Sequence, residues 1–380
     1  MKNFTSSNPT KLLFGKGVVS KLGSFSKKLG SKAIIIIGKG SVKHNGILDA
    51  VTEQLKSVGT EYVLFEGIKS NPIFQDVDAC ISVAREFQAD QIIAIGGGSV
   101  IDSAKAVAVG FFHDGSVWDI CSGSIRATEA LPILCVLTLA ATGTEMNMFS
   151  VIQNDETGQK LGWGSDLVYP KVSFLDPEFT FSVPKTYTSY GVSDLIAHTF
   201  EQYFEPTSSP LSDHLATDIV KLAFEYGKQV IDNPSDYESR SNILWLATVA
   251  LNGSLSAGKQ GGDWGVHGFE HSLSVLYDIP HGAGLSIIYP AWMKNYFPEI
   301  ESKLDFMAQR VLGEGKKAQD FIDAYEAFSK SIDSPTRLSQ VDIKADQESR
   351  IVENLIANKV VGAFFQQNEE SYHKMLKLMW

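Results

Sequence analysis

Five consecutive apolar residues, Ala33 to Ile37, constrain the fold of this chain more than any other feature. Ala33 is followed by an unbroken run of β-branched isoleucines, and Gly38 ends the run. This pattern is typical of a parallel strand that is covered on both faces. Further strands are expected at Tyr62–Phe65 and Gln91–Ile95, separated by helical segments. Because such alternation builds a parallel sheet, we predict an α/β domain that binds ligands at the carboxyl ends of its strands.

The hydrophobic pattern changes period after Asp176 and Pro177. Beyond this point the chain shows helical periodicity that is interrupted by proline and glycine. We therefore expect an α/β dinucleotide-binding domain at residues 1–178 and an all-helical domain at residues 179–380, because 380 residues suffice for two cores. The elements predicted besides the three strands above are a strand and turn at 10–17, helices at 47–58, 71–87 and from Val100, strands at 133–138 and 172–175, and helices at 187–204, 212–230, 237–253, 265–277, 283–297, 300–311, 318–331 and 345–357.

A glycine-rich loop, Gly96-Gly97-Gly98-Ser99, follows the predicted strand Gln91–Ile95 and precedes a predicted helix. Glycines let the backbone approach a phosphate closely, and a helix N-terminus offers free N–H groups, so the loop suits a pyrophosphate. Taken alone, the same four residues could form only a flexible turn. Asp102 is predicted in the first helical turn, either as a carboxylate that favours the helix dipole or as a nicotinamide contact.

The loop after the strand Ala33–Ile37 bears on the identity of the dinucleotide. NAD-binding folds usually place an acid there for the ribose 2′-hydroxyl, whereas this chain has Gly38, Lys39, Gly40 and Ser41. A small loop with a hydroxyl and a cation admits a 2′-phosphate. We therefore predict NADP(H) as the cofactor, with Gly38, Gly40 and Ser41 among its contacts and NAD(H) as the alternative.

Four of the eight histidines lie between residues 194 and 281, in a pattern typical of a metal site. Asp194 and His198 are four residues apart, as are His267 and His271, so on helices each pair shares a face. His281 follows in an Ile-Pro-His-Gly turn. A carboxylate with imidazoles suits Fe²⁺, Zn²⁺ or Ni²⁺, and the absence of a nearby cysteine disfavours a thiolate site. The spacing leaves open which of His267 and His271 is a ligand.

These histidines, together with the motif from Gly96 to Lys105, resemble the iron-containing (group III) alcohol dehydrogenase family, in its butanol dehydrogenase and broad-range aldehyde reductase branch. The resemblance covers nearly the whole chain. It implies a dehydroquinate synthase-like fold with a metal-binding C-terminal domain, Fe²⁺ as the metal, and a homodimer. It places catalytic His271 beside the nicotinamide as a proton relay or positioning group. The metal ligands that it implies are Asp194, His198, His267 and His281.

The same resemblance adds cofactor contacts. The segment Thr138–Glu145 resembles the family's T-T-x-G-T-G-S-E loop, from which Thr138 and Thr142 carry over, whereas Leu139 replaces a hydroxyl residue common in relatives. Lys160 resembles a lysine that touches the nicotinamide ribose; a solvated surface lysine is the alternative. The predicted cofactor contacts are Gly38, Gly40, Ser41, Gly97, Gly98, Ser99, Asp102, Thr138, Thr142 and Lys160.

Five further side chains near these motifs have two interpretations each. Glu201 and Glu270 are expected to be either surface acids or hydrogen-bond partners of the metal ligands. Phe149, Trp163 and Trp264 are expected to lie in the core or to line an apolar substrate pocket.

The predicted function is a metal-dependent alcohol dehydrogenase that works mainly as an NADPH-linked reductase of aldehydes such as butanal. One alternative is a dehydroquinate-synthase-like lyase, whose phosphorylated substrate would require several cations near the ligands, where only Lys259 and Lys294 are candidates. The other alternative is a non-catalytic nucleotide-binding scaffold. The sequence leaves open the physiological substrate, the native metal and the oligomer size.

Composition excludes some partners. A net charge of −11 disfavours nucleic acid and anionic membranes. No apolar run reaches the roughly 18 residues that span a bilayer, and the first residues lack the apolar core of a signal peptide. The three cysteines are widely spaced, which is typical of a protein of the reducing cytoplasm.

Overall fold

The chain alternates strands with helices as far as Leu175 and is helical from Lys185 onward. The structure is a computed structural model that describes residues 1–380. It contains an α/β unit, Ser7–Val183, and a helical unit, Met1–Ser6 with Pro184–Trp380. The predicted fold class is confirmed, since a parallel sheet with helices precedes a helical unit. The predicted domain division at residue 178 stays a prediction.

The α/β unit contains eight strands and six α-helices. Short 3₁₀ helices occur at Val18–Lys21, Thr144–Met146, Asp166–Val168 and Pro177–Thr180. The strands and α-helices are β1 (Lys11–Phe14), α1 (Leu22–Leu29), β2 (Lys32–Ile37), α2 (Ser41–His44), α3 (Ile47–Val58), β3 (Glu61–Glu66), α4 (Phe74–Phe87), β4 (Gln91–Gly96), α5 (Gly98–Gly110), α6 (Trp118–Cys121), β5 (Ile133–Leu137), β6 (Phe149–Asn154), β7 (Gln159–Gly164) and β8 (Val172–Leu175).

The helical unit contains nine α-helices. Two 3₁₀ helices, Leu338–Val341 and Ala345–Gln347, precede the last two of them. The α-helices are α7 (Lys185–Phe204), α8 (Pro210–Asp232), α9 (Tyr237–Ala250), α10 (Gly265–Tyr277), α11 (His281–Asn295), α12 (Phe297–Leu312), α13 (Ala318–Ser331), α14 (Glu348–Ala357) and α15 (Glu369–Met379). No helix is both long enough and apolar enough to cross a lipid bilayer.

Six strands form a parallel sheet in the order β1-β8-β5-β4-β2-β3. From β2 the chain moves outward to β3 and then returns to the other side of β2 to form β4. The strand order therefore reverses between β2 and β4, and the carboxyl ends of two such strands flank a crevice where ligands of α/β sheets bind. In the register, Ile37 at the end of β2 lies beside Ile95 of β4.

The apolar run from Ala33 to Ile37 forms the core of this sheet. All side chains from Ala33 to Ile37 are fully buried. Ala33, Ile35 and Ile37 pack in one cluster with Val51 and Leu55 of α3. Because both faces of β2 are covered, no polar residue interrupts the strand, and burial of each isoleucine contributes about 2 kcal/mol.

Several predicted boundaries differ from the structure. The helix predicted from Asn71 begins at Phe74, since Ile73 is extended before it. The helix predicted from Val100 begins at Gly98, so Asp102 lies beyond its first turn. The hairpin β6–β7 and helix α15 were not predicted.

A close helix crossing shapes the helical unit. A Cβ on Gly282, at the start of α11, would lie 2.1 Å from the backbone oxygen of Tyr190 in α7. Only glycine allows this approach, which brings the first residue of α11 next to α7.

Candidate metal centre and nucleotide-binding loops

Helix α7 carries the first two predicted metal ligands on one buried face. Asp194 and His198 are 3% and 5% exposed, and the Asp194 Oδ1 atom lies 3.5 Å from His198 Nδ1. The two side chains therefore share one helix face, as their i, i+4 spacing predicted.

Helices α10 and α11 bring two more histidines to Asp194. His267 is the third residue of α10, and His281 is the first residue of α11. One ligand atom each of Asp194, His267 and His281 lie within 4.8 Å of one another. His198 is not part of that three-residue group, but its ring stacks on His267 at a centroid distance of 4.8 Å. Three of the four predicted ligands therefore converge, and the fourth adjoins them.

Two buried carboxylates hold the Nδ1 atoms of two of these histidines. Glu201 Oε1 lies 2.7 Å from His267 Nδ1, and Glu270 Oε2 makes a short hydrogen bond with His281 Nδ1. Glu201 and Glu270 are 2% and 0% exposed, which excludes the surface interpretation. Because Nδ1 carries the donated proton, Nε2 of each ring keeps its lone pair.

The residues at this position fit a divalent cation. His267 Nε2 and His198 Nδ1 are buried and make no hydrogen bond, which is unfavourable unless another partner satisfies them. Burial, followed by the neighbouring His267 and His281, lowers the pKa of His198 well below its ordinary value. The ring is therefore neutral, which is the form that binds metal. One carboxylate with imidazoles is a donor set suited to Fe²⁺, Zn²⁺ or Ni²⁺.

His271 lies at the edge of this cluster. It is half-buried on α10, and its ring centroid is 5.7 Å from that of His281. A ring nitrogen of His271 also lies within 4.8 Å of ligand atoms of Glu270 and His281. His267, and not His271, belongs to the group with Asp194, so the geometry favours the assignment implied by the resemblance.

In the α/β unit, the three predicted cofactor loops follow neighbouring strands. Gly38–Ser41 follows β2, Gly97–Ser99 follows β4, and residues 138–142 follow β5. The first two flank the reversal of strand order. A Cβ on Gly98 would lie 2.5 Å from Thr142 Cγ2, so a larger residue at this position would force the Thr142 side chain to move where these loops meet.

The predicted contacts within these loops are held by hydrogen bonds. Ser99 donates to the Ser70 carbonyl, and Thr138 N donates to Gly96 O at 3.0 Å. Thr142 Oγ1 accepts from the backbone N–H of residue 144. Gly40 adopts a φ of 97° at the start of α2, a conformation that side chains rarely adopt, whereas Ser41 is exposed.

Asp102 does not lie in the first turn of α5, where the sequence predicted a carboxylate that favours the helix dipole. Its carboxylate accepts a hydrogen bond from Thr144 Oγ1 at 2.6 Å and another from Val151 N at 2.9 Å. The helix-dipole interpretation was wrong because α5 begins two residues earlier than predicted. Asp102 instead ties α5 to the segment after β5 and to β6.

A buried lysine completes this network. Lys105 Nζ donates to Thr144 Oγ1, Asn147 Oδ1 and the Phe149 carbonyl at 2.7, 3.0 and 2.7 Å. Desolvation lowers the pKa of Lys105 to about 8, although Asp102 acts in the opposite direction. Sequence reasoning quoted Lys105 within its motif but gave it no role, because only the fold shows that its side chain is fully buried.

Lys160 is buried, so the alternative interpretation of a solvated surface lysine was wrong. It is 8% exposed, and its Nζ donates to Asn71 Oδ1 at 3.0 Å. Sequence reasoning missed Asn71, for which the position before Pro72 was the only available signal.

The three aromatic residues considered for a substrate pocket lie in different surroundings. Phe149 is exposed, and Trp163 is half-buried in β7. Trp264 contacts the rings of His198 and His267. A pocket lined by these residues stays a prediction.

Comparison with known proteins gave consistent matches along the chain. Residues 9–177 match the sequence model of the family described as iron-containing alcohol dehydrogenase, and residues 188–380 match that of the Fe-containing alcohol dehydrogenase family, C-terminal. The chain is 42% identical to the probable NADH-dependent butanol dehydrogenase 1 of Bacillus subtilis over 99% of both proteins. It is 33% identical to the NADPH-dependent aldehyde reductase YqhD of Escherichia coli, over 93% of both.

A solved structure is similar over the whole chain. The crystal structure of NADH-dependent butanol dehydrogenase A from Thermotoga maritima superimposes with a TM-score of 0.96 at 39% identity, covering 100% of this chain and 99% of the other.

Proposed function

Because the chain belongs to the iron-containing alcohol dehydrogenase family, we propose that it reduces aldehydes such as butanal to primary alcohols with NADPH at a divalent metal centre. Membership makes the chain an oxidoreductase with a nicotinamide cofactor and a divalent metal. The balanced reaction consumes one aldehyde, one NADPH and one proton and yields the alcohol and NADP⁺. The approach of Asp194, His267 and His281 to one another is the observation that carries the proposal.

Asp194, His198, His267 and His281 would hold the cation, for which Fe²⁺ is proposed, with Zn²⁺ or Ni²⁺ as alternatives. Such a cation supplies Lewis-acid polarisation of the substrate carbonyl and stabilises negative charge on its oxygen. The carboxylates that hold the Nδ1 atoms of two imidazoles keep the opposite nitrogens directed at the ligand position.

The loops of the α/β unit would bind the dinucleotide. Backbone N–H groups at the start of α5 suit the pyrophosphate, because a helix N-terminus attracts anions. Asp102 and Lys160 are proposed to orient the nicotinamide and its ribose. Reduced nicotinamide supplies the hydride that the carbonyl carbon accepts. Fixing the dinucleotide relative to the substrate contributes the proximity effect.

His271 is proposed to deliver the proton that completes the alcohol. A ring nitrogen of His271 lies within 4.8 Å of a ligand atom of His281, so the side chain adjoins the proposed metal position. An imidazole exchanges protons readily near neutral pH. A water molecule that exchanges protons with this ring would serve the same purpose.

The coenzyme is proposed to be NADPH, with NADH as the alternative. The Gly38–Ser41 loop contains no carboxylate, and Lys39 is exposed there. Glu66, at the end of the neighbouring strand, forms an ion pair with Lys43. The names of the relatives point both ways, since the Bacillus subtilis protein is named for NADH and the Escherichia coli protein for NADPH.

The ratio of kcat/KM for NADPH to that for NADH measures this preference. We expect the ratio to exceed one in the wild type and to fall in Lys39→Asp, because a carboxylate repels the 2′-phosphate. A ratio that is unaffected by Lys39→Asp would contradict the assignment of this loop.

A homodimer is proposed for the assembly. Within the chain, β1 lies at an edge of the six-stranded sheet and pairs only with β8. Light scattering after gel filtration should give twice the chain mass of 41.6 kDa. A monomeric mass would contradict the proposal.

The lyase alternative lacks the cations that it requires. Lys259 Nζ lies 2.6 Å from Asp213 Oδ1, and Lys294 forms an ion pair with Glu326. Both lysines are therefore already paired. A non-catalytic scaffold would bind nucleotide and metal without oxidising NADPH.

The direct assay mixes metal-loaded protein, NADPH and butanal and follows the absorbance of the reduced nicotinamide. The proposal requires a decline that depends on both aldehyde and metal. Absence of any decline with Fe²⁺, Zn²⁺ and Ni²⁺ each restored in turn would reject the reductase function.

A further inference from the structure

We propose that Trp264 is a positioning residue that orients His198 for metal binding; this inference rests on the proposed metal centre. His198 differs from the other two proposed imidazole ligands. Glu201 and Glu270, which are not proposed ligands, hold the Nδ1 atoms of His267 and His281, whereas His198 Nδ1 makes no hydrogen bond and lies 3.5 Å from Oδ1 of the proposed ligand Asp194. Imidazole ligands ordinarily need a partner that fixes their orientation. The remaining contacts that can orient the His198 ring are those with neighbouring aromatic rings.

Ring packing supplies that contact. The Trp264 indole lies 6.2 Å from the His198 ring and 5.1 Å from the His267 ring, measured between centroids. The indole meets His267 edge to face at 65°, and His267 stacks on His198 at 26°. The His198 ring therefore contacts both the Trp264 ring and the His267 ring. Hydrogen bonds to Glu201 fix the His267 ring. Aromatic pairs in such geometries restrict rotation of each other.

The backbone of Trp264 is strained, as expected for a residue held in place for a function. Its φ of 62° and ψ of 9° lie in the left-handed region, which bulky side chains avoid. The other non-glycine residues with positive φ are not aromatic; they are Gln88, Asp278, Asp333, Asp342 and Lys359. Such strain persists only where the surroundings enforce it, and it concentrates at functional sites.

Two short hydrogen bonds enforce the conformation. Trp264 N donates to Glu201 Oε2 at 2.6 Å, and the indole Nε1 donates to Gly261 O at 2.6 Å. The other oxygen of Glu201 accepts from Nδ1 and from the backbone N–H of His267. One carboxylate thus fixes a ligand directly and also holds the tryptophan that packs against the second ligand.

The test compares Co²⁺ affinity, measured by chelator competition, among the wild type, Trp264→Gly, Trp264→Phe and His198→Ala. Glycine removes the indole and relieves the strain, so folding should be preserved while affinity falls by about 10- to 100-fold. Phenylalanine keeps a ring and should stay close to the wild type. The visible spectrum of Co²⁺ in Trp264→Gly should shift toward that of His198→Ala, because both lose the same ligand.

A double variant separates positioning from general stabilisation. If Trp264 acts through His198, Trp264→Gly combined with His198→Ala should bind Co²⁺ no more weakly than His198→Ala alone. Additive losses would overturn the inference. The matched control is Lys359→Gly, which relieves a φ of 51° elsewhere and should leave the affinity unchanged.

Remaining outcomes distinguish this inference from the proposed function. If His198→Ala weakens Co²⁺ binding and Trp264→Gly does not, only the role of Trp264 is wrong. If His198→Ala leaves binding unchanged, the proposed metal centre is wrong. Should Trp264→Gly fail to fold, Trp264→Leu replaces it as a variant with bulk but no ring. Trp264→Leu should then weaken binding where Trp264→Phe does not, and equal affinities would overturn the inference.

Discussion

At the scale of single residues, the helical unit places buried carboxylates behind imidazoles. Spacing alone predicted that Asp194 and His198 share a face. A hydrogen bond from Glu201 to a metal ligand was only one of two interpretations, and the sequence did not indicate His267 as the partner. The two residues are separated by 66 positions and meet only where the start of α10 hydrogen-bonds to α7. Spacing alone therefore identifies residues that act together on one helix, whereas it does not identify contacts between helices.

The role of Glu201 can be tested with an isosteric change. Glu201→Gln keeps the shape but weakens the charge-assisted bonds to His267, so we expect metal affinity to fall by about 10- to 100-fold. Chelator competition measures this fall, and exposed Glu238→Gln serves as a control. An unchanged affinity would show that His267 needs no carboxylate.

His267 and His271 should respond differently to substitution by alanine. His267→Ala removes a proposed ligand, so bound metal and activity should be lost together. His271→Ala should retain the metal and lower kcat by roughly 100-fold or more, as expected for loss of a general acid. Metal analysis with steady-state kinetics measures both effects. If His271→Ala instead empties the site, the ligand assignment is wrong.

At the scale of elements, strands buried on both faces were the most predictable part. β2 and β4 read as continuous apolar runs, and their end residues match the structure closely. The hairpin β6–β7 was missed because its strands carry polar residues such as Gln153 and Lys160 at buried positions. Lys160 is accommodated there by a hydrogen bond to Asn71, which is 89 positions away in the sequence. Tertiary contacts of this kind leave no periodic signal.

Helix α5 provides a test of the nucleotide loops. Gly98→Ala places a Cβ 2.5 Å from Thr142 and displaces that loop, so the KM for NADPH should rise by about tenfold or more, equivalent to ~1.4 kcal/mol. Metal content should not change. Gly162→Ala is the matched control, since its nearest contact is an ordinary 3.9 Å. An unaltered KM in Gly98→Ala would remove the pyrophosphate assignment.

The buried lysine of α5 predicts a pH dependence of stability. In the folded protein the pKa of Lys105 is lowered from 10.5 to about 8, so between these values the unfolded chain binds more protons at this residue. The free energy of unfolding contributed by this group therefore rises with pH in that window. Urea unfolding should show that the free energy of unfolding of the wild type, relative to that of Lys105→Met, rises from about pH 8 to pH 10. Parallel curves would contradict the assignment.

At the scale of the whole molecule, the two units have separate tasks. The α/β unit carries the proposed nucleotide loops, and the helical unit carries the proposed metal ligands. The change of hydrophobic period predicted this division of fold classes. The position of Asp194 relative to His281 depended on the α7–α11 crossing at Gly282, which no local pattern encodes.

Ligand binding should stabilise each unit where its ligand binds. Saturating metal at about 100 times its Kd adds about 2.7 kcal/mol to the free energy of unfolding of whatever it binds. Hydrogen exchange should therefore slow in α7, α10 and α11 on metal addition, and in α5 with its preceding loop on NADPH addition. Metal protection confined to other helices would contradict the proposed site.

The most direct measurement is elemental analysis of protein purified without oxygen, for the wild type and His267→Ala, paired with NADPH oxidation by butanal. The wild type should contain a single divalent ion per chain and be active, whereas His267→Ala should lack both the ion and the activity. Wild-type protein that reduces butanal at full rate after removal of its metal, or His267→Ala that retains a full complement of metal, would contradict the metal centre on which the proposed chemistry depends.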